Sequence, residues 1–276
     1  YYLGSVEACE AHHIPHEILT GPEENRRFPG YRLPPGHMAL LQQDGGFLLA
    51  ERSIVAYVNA SLAAGAEIHA RESVLSWEPT GDGVLVHTDR AEYTAEKLVI
   101  TAGAWTAGMV PSLAELAVPE RQVLAWLQPE DPMLFTPENF PVFNAYFDEG
   151  RYYGFPVFGI PGFKIGKYHH LEEVADPDHM GKGVTREDEE ILRSATAKYF
   201  PKANGNVMTM ATCMFTNSPD EHFIIGVLPN HPQVSVAAGF SGHGFKFASV
   251  VGEIMGDLAT RGETRHDIEL LRLDRF

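Results

Sequence analysis

Three stretches carry groups suited to chemistry. Val234-Ser235-Val236-Ala237-Ala238 reads as a strand, Gly239-Phe240-Ser241-Gly242-His243-Gly244 as a turn, and the following residues, with Ala248, Val251, Ile254, Met255 and Leu258 at helical spacing, as a helix. Three glycines let backbone approach a ligand closely, and a helix start offers unpaired N–H groups to an anion or a polarised carbonyl. The spacing matches no phosphate-binding fingerprint, so a tight connection that needs glycine only for its backbone angles fits equally.

The second stretch is ATCMFTNSPDEHF, where Cys213 sits between apolar residues. Such a thiol is either buried and inert or a nucleophile whose thiolate needs a nearby positive charge. The third is Gly162-Phe163-Lys164-Ile165-Gly166. Its apolar neighbours would desolvate the Lys164 ammonium and strengthen its action on an anion or radical, unless the chain snorkels to water. His12, His13 and His16 suggest a metal, but Pro15 breaks the helix that would align them and no Cys or carboxylate pattern completes a site; His169 and His170 do no better. No metal is expected.

The elements that must position these groups alternate in character. Residues from about 50 to 64 place Ile54, Val55, Val58, Leu62 and Ala63 at helical spacing. Short β-rich runs follow, EIHA, SVLSWEP, VLVHT and AEYTA, a small meander broken at Gly81-Asp82-Gly83 and Asp89-Arg90. The run Lys97 to Trp105 is apolar and predicts a strand buried on both faces. Residues 120–175 predict an antiparallel sheet, and 184–200 a helix with an acidic start. Before residue 50 the chain is polar and Pro-rich around Gly21-Pro22-Glu23 and Pro34-Pro35-Gly36.

Buried α/β segments thus flank an antiparallel insert, which predicts an α/β protein of two interleaved domains: 46–109 with 213–276, and 1–45 with 110–212. With 276 residues, 44% hydrophobic, the chain can bury such cores. A net charge of −16 without clustered Lys or Arg excludes nucleic acid as a partner. Two distant cysteines point to a reducing compartment, and no apolar run is long enough to span a membrane, so a cytoplasmic protein is expected. The first residue is Tyr1 rather than Met, and the residues after it read as mid-helix without a cap, so further chain is expected upstream.

CMFTNSPDEHFIIG followed by VSVAAGFSGHGFKFASVVGE resembles, almost residue for residue, signatures of the monomeric sarcosine oxidase and N-methyltryptophan oxidase family. The resemblance runs through nearly all of the chain. It implies FAD enzymes that oxidise N-methyl amino acids with O2 to an imine and hydrogen peroxide, with one FAD-binding Rossmann-like domain and one antiparallel-sheet substrate domain. By position it implies a covalent thioether from Cys213 to the flavin, Lys164 as the lysine assisting O2 reduction, Lys246 pairing with the substrate carboxylate, and Tyr153 lining the pocket. It further implies flavin contacts from Gly239, Phe240, Gly242, His243, Gly244 and Phe245, and from the strand end carrying Gly103 and Trp105.

The sequence departs from the family pattern in three ways. The strand, Gly-x-Gly-x-x-Gly turn and helix that hold the FAD pyrophosphate do not occur in it, nor does the segment with a second carboxylate-binding arginine. Phe215 stands where the family often has tyrosine. Tyr168 stands four residues after Lys164, where the family has a histidine, so either a one-residue shift brings in His169 or that contact is lost. A competing expectation is a truncated remnant that binds flavin weakly or not at all, with a homodimer covering apolar surface. A third keeps the fold but acts on another amino acid, such as proline or glycine.

Overall fold

The computed structural model describes residues 2–181 and 183–276. In chain order the elements begin with helix α1 (Tyr2–Ala11), strand β1 (Glu17–Thr20), helix α2 (Gly21–Arg27), strand β2 (Met38–Leu41) and helix α3 (Ala50–Ala63). Strands β3 (Val74–Thr80), β4 (Gly83–Thr88), β5 (Glu92–Ala95) and β6 (Leu98–Ile100) follow, then a short helix α4 (Thr106–Met109). Next come β7 (Val118–Leu127), β8 (Phe143–Phe147), β9 (Gly150–Phe155), β10 (Phe163–Lys167), helix α5 (Arg186–Tyr199) and β11 (Val207–Asn217). Strands β12 (Ile224–Leu228) and β13 (His231–Ala238) and helix α6 (Ala248–Arg261) follow, and then two 3-10 turns, Glu269–Leu271 and Leu273–Arg275.

Two compact units divide it. Unit 1 holds residues 1–47, 121–173 and 181–213, and unit 2 holds 48–120, 174–180 and 214–276. Relative to the boundaries read from the sequence, 110–120 and 174–180 fall in unit 2, and 46–47 and Cys213 in unit 1.

Unit 1 is built on a five-stranded sheet in the order β11-β7-β10-β9-β8, antiparallel where β7, β10, β9 and β8 pair. Strand alternation puts Ala125, Leu127, Phe163, Ile165 and Tyr152 on one face. They join a core with Phe135, Phe140, Leu192, Tyr199 and Phe200, all but fully buried. Helix α5 packs its Leu192, Ala195 and Tyr199 into that core. It starts at a capping box, Thr185 with Asp188, as a Thr-x-x-acid pattern ahead of an amphipathic run requires. The Pro-rich opening is more ordered than its composition suggests: β1 and β2 pair antiparallel, and Thr20 and Glu23 form a capping box for α2.

Unit 2 contains two three-stranded sheets. The meander β3-β4-β5 forms as its turn residues predict. The segment EIHA is not a strand: Ile68 is exposed and residues 67–70 form no β-ladder among the described residues. The second sheet has the order β12-β13-β6, with β6 parallel to β13. The predicted strand at 97–105 shrinks to three residues at the sheet edge, where Val99 is 39% exposed rather than buried. Burial on both faces belongs instead to β13. Its Val234, Val236 and Ala238 meet a core with Ile100, Val110 and Val84, while Ala237 meets Ile254, Met255 and Leu258 of α6. Helix α3 forms where predicted, yet none of its residues is buried, and Ile54, Val55, Tyr57 and Leu62 are each about half exposed.

Candidate functional site

In unit 1 the candidate residues lie on the face opposite the core. Lys164 and Tyr168 alternate on the same side of β10, and their neighbours across the ladder to β9 are Phe155 and Arg151, with Tyr153 opposite Gly166 between them. A Cβ at position 166 would lie 2.5 Å from the Tyr153 ring, so only glycine leaves room for that ring to cross the strand. Lys164 Nζ lies 4.7 Å from the Phe155 ring centroid and 5.0 Å from that of Trp126, which faces it from β7. Two aromatic faces thus stabilise the ammonium where a neutral apolar wall would repel it.

Cys213 on β11 lies within electrostatic reach of both Lys164 and Tyr153. Burial pushes its thiol above the ordinary cysteine value, and the Lys164 charge pulls it partly back. Burial, with Cys213 and Tyr168 beside it, drives the Tyr153 phenol far above its usual value, so it stays a neutral donor throughout any working pH. The Tyr168 ring stands edge-on to Tyr153 at 4.9 Å, and the Arg151 guanidinium lies 3.8 Å from the Tyr168 centroid. Cys213, Lys164 and Tyr153, expected from the sequence, therefore come together.

The two histidines after Tyr168 part company. His169 takes a left-handed backbone, φ 51°, and so turns the chain. His170 is buried on the other side, where its Nε2 donates to Asp188 Oδ1 at 3.0 Å. Asp188 also receives Arg121 Nη1 and Nη2 at 2.9 and 2.8 Å and the Thr185 N–H at 2.7 Å. Burial alone would raise this carboxyl, but the Arg121 fork and Thr185 outweigh it and hold Asp188 well below the carboxylate range. Burial lowers the His170 value, and its Nδ1 has no hydrogen-bond partner among the described residues. Sequence reading missed this anchor behind the site. The Thr185-x-x-Asp188 pattern was its one signal, since Arg121 sits in sequence between the polar Glu120 and Gln122 and does not stand out.

In unit 2 the candidate residues gather at the carboxyl end of a parallel strand pair, the place where open α/β sheets bind ligands. Ile100 of β6 is in register with Val236 of β13, and each strand then turns at a glycine in left-handed conformation: Gly103 at φ 54° and Gly239 at φ 61°. A Cβ on Gly103 would meet nothing within 4 Å, so that turn is open. The turn after β13 is packed from behind. Gly242, at φ 76°, lies against the Phe215 ring, and Phe240 and His243 flank Phe223 at 4.8 and 4.9 Å. Phe245 and Lys246 follow in a single 3-10 turn, with Lys246 exposed. Trp105 is 48% exposed and donates from Nε1 to Asp178 at 2.8 Å. No group of three metal-ligating side chains occurs among the described residues, and no described helix is long and apolar enough to cross a membrane.

Known proteins resemble this chain in sequence and fold. The FAD dependent oxidoreductase family matches residues 2–258. A monomeric sarcosine oxidase of Bacillus sp. (strain NS-129) is 39% identical over 275 residues, covering 98% of this chain and 71% of that protein. An N-methyl-L-tryptophan oxidase of Citrobacter koseri is 35% identical over 257 residues, 91% of this chain and 66% of its own length. Among solved structures, the open form of NikD, an unusual amino acid oxidase essential for nikkomycin biosynthesis, has a TM-score of 0.79 at 26% identity, covering 98% of this chain and 71% of that one. An L-proline dehydrogenase from P. horikoshii shares the fold, with a TM-score of 0.81 at 20% identity over 97% of this chain and 70% of its own. The chain therefore belongs to the FAD dependent oxidoreductase family, as an oxidoreductase of the sarcosine oxidase and N-methyltryptophan oxidase type.

Proposed function

We propose that the chain oxidises the C–N bond of sarcosine or another N-methyl amino acid, with O2 as electron acceptor, giving an imine, then aldehyde, and hydrogen peroxide. The observation that carries this reading is the Lys164 ammonium held between two aromatic rings, beside Cys213 and on the same sheet face as Tyr153. A cation so placed favours negative charge forming on oxygen as it is reduced.

The residues present fit the flavin ring better than the pyrophosphate. Gly103 leaves an open turn, Gly239 to Phe245 form a backbone cradle, and Cys213 offers a thiol beside a cation. When bound, FAD supplies the two-electron oxidant. Cys213 Sγ is assigned the thioether to it, with Gly103, Trp105, Gly239, Phe240, Gly242, His243, Gly244 and Phe245 as its contacts. Lys246 is assigned to the substrate carboxylate, and Tyr153, kept neutral by its burial, to the pocket wall as a hydrogen-bond donor. His169 is assigned to the substrate side. Both cysteines are free, which suits a reducing, cytoplasmic setting. The homodimer belongs to the alternative of a truncated remnant, where it would cover apolar sheet surface, and sedimentation checks it.

An absorption spectrum before and after acid precipitation tests the cofactor assignment, and an oxygen electrode with sarcosine and N-methyltryptophan tests the reaction. Flavin bands that remain with the precipitate and oxygen uptake with either amine are expected. Flavin released to the supernatant would remove the Cys213 bond, and a colourless chain would remove the whole reading.

A further inference from the structure

The last residues of the chain are tied to the glycine turn through a second turn. Leu273 packs over Gly226 of β12, where a Cβ would come within 2.6 Å of it. Two residues on, the Arg275 side chain is only 13% exposed. Its Nε and Nη2 donate to Asp220 Oδ2 and Oδ1 at 2.8 and 3.0 Å, and Nη2 also to the His222 carbonyl at 2.9 Å. The Arg275 fork holds the Asp220 carboxyl well below its ordinary value. Bidentate pairing of this kind fixes orientation as well as distance.

The segment Ser218–His222 gripped in this way holds the glycine turn at two points. Ser218 N–H donates to Ser241 Oγ at 3.2 Å, while Ser218 Oγ donates to the His222 carbonyl at 2.6 Å. His243 Nε2 donates to the Glu221 carbonyl at 2.9 Å. The two grips lie on either side of Gly242. Glu221 and Ser241 themselves sit at φ 59° and 47°, backbone that non-glycine residues hold only when their surroundings impose it.

We propose that Arg275 is a positioning residue for the cofactor-facing turn: through Asp220 and the Ser218–His222 segment it fixes Ser241, Gly242 and His243. That the turn faces a cofactor rests on the function proposed above; the mechanical coupling does not.

Hydrogen exchange on the full chain, with Arg275→Ala, Arg275→Lys and Asp220→Asn, separates the two. The reporting amides are those of Ser241, bonded to the Thr216 carbonyl, and His243, bonded to that of Phe240. They are expected to exchange about tenfold faster in R275A and D220N, while the amides of Val234–Ala238, which report global stability, stay unchanged. R275K, which keeps the charge but not the fork, should fall between, and serves if R275A does not fold. The absorption band of bound flavin should shift in the same order. Unchanged turn amides, or equal acceleration of turn and strand in every variant, would overturn the proposal. A responding turn in a chain that never shows flavin would uphold the coupling and overturn only the cofactor reading.

Discussion

The two candidate regions are built on opposite plans. In unit 1 the candidate groups are side chains on paired strands: Lys164, Tyr153 and Cys213 project from a sheet whose other face is a fully buried aromatic and aliphatic core. In unit 2 they are mainly backbone, at turns beyond strand ends, where glycine conformation and buried hydrogen bonds set the shape. A charge must be held at a fixed point and screened from water, which strands over a close-packed core do well. A flat ring needs close approach and N–H donors, which a glycine turn supplies. Substitutions in unit 1 should therefore change chemistry or global stability, and those in unit 2 the fit of a ligand.

The largest effect expected is on the anchor of unit 1. Arg121→Leu strands the buried Asp188 carboxylate and should cost about 3–5 kcal/mol, read as a fall in the urea midpoint. Lys164→Met should leave stability nearly unchanged but slow the reaction of reduced enzyme with O2 by roughly 10²–10³-fold, about 3–4 kcal/mol, with reduction by the amine much less affected in stopped flow. Equal slowing of both halves would mean that the lysine acts on substrate instead. In unit 2, Gly242→Ala combines a disfavoured φ with a clash against Phe215 and should cost about 2–3 kcal/mol. Gly103→Ala shares the φ but meets no atom, so its stability cost is about 1–2 kcal/mol, and flavin retention should suffer more than the melting temperature does. If G103A alters only stability, the open turn is not a ligand surface.

The smallest effect is on pH. Burial favours neutral His170, so its contribution is complete above the ordinary histidine value of 6.5 and is lost as pH falls below it toward the folded value. The slope cannot exceed about 1.4 kcal/mol per pH unit for one proton, and His170→Asn should flatten it in denaturation curves between neutral and mildly acidic pH.

The sequence announces elements whose local signals agree with their surroundings. Helix α5 has its cap and its apolar stripe, β13 its apolar run and terminal glycine, and the meander its turn residues. It misleads where tertiary context decides. Lys97 to Trp105 is as apolar as β13, but only β13 has partners on both sides, so burial follows the sheet order and not the composition. Residues 67–70 have strand-like composition but no strand to pair with. The same holds within the site. Lys164 and Cys213 stand out by their apolar context, whereas His169 and His170 look equivalent in sequence. One left-handed residue sends them to different neighbourhoods, and no spacing rule announces it.

The exposed apolar residues of α3 and the free edge of β6 bear on how the protein behaves as a colloid. Ile54, Val55, Tyr57 and Leu62 offer neighbouring molecules a sticky surface, and a charge of −16 keeps those molecules apart. That repulsion is long-ranged in dilute buffer, shrinks to a Debye length of about 10 Å at 0.1 M salt, and vanishes near the isoelectric point of about 5.2. Concentrated stocks should stay clear at neutral pH and low salt, and turn turbid first when acidified or salted, well before the folded cores yield.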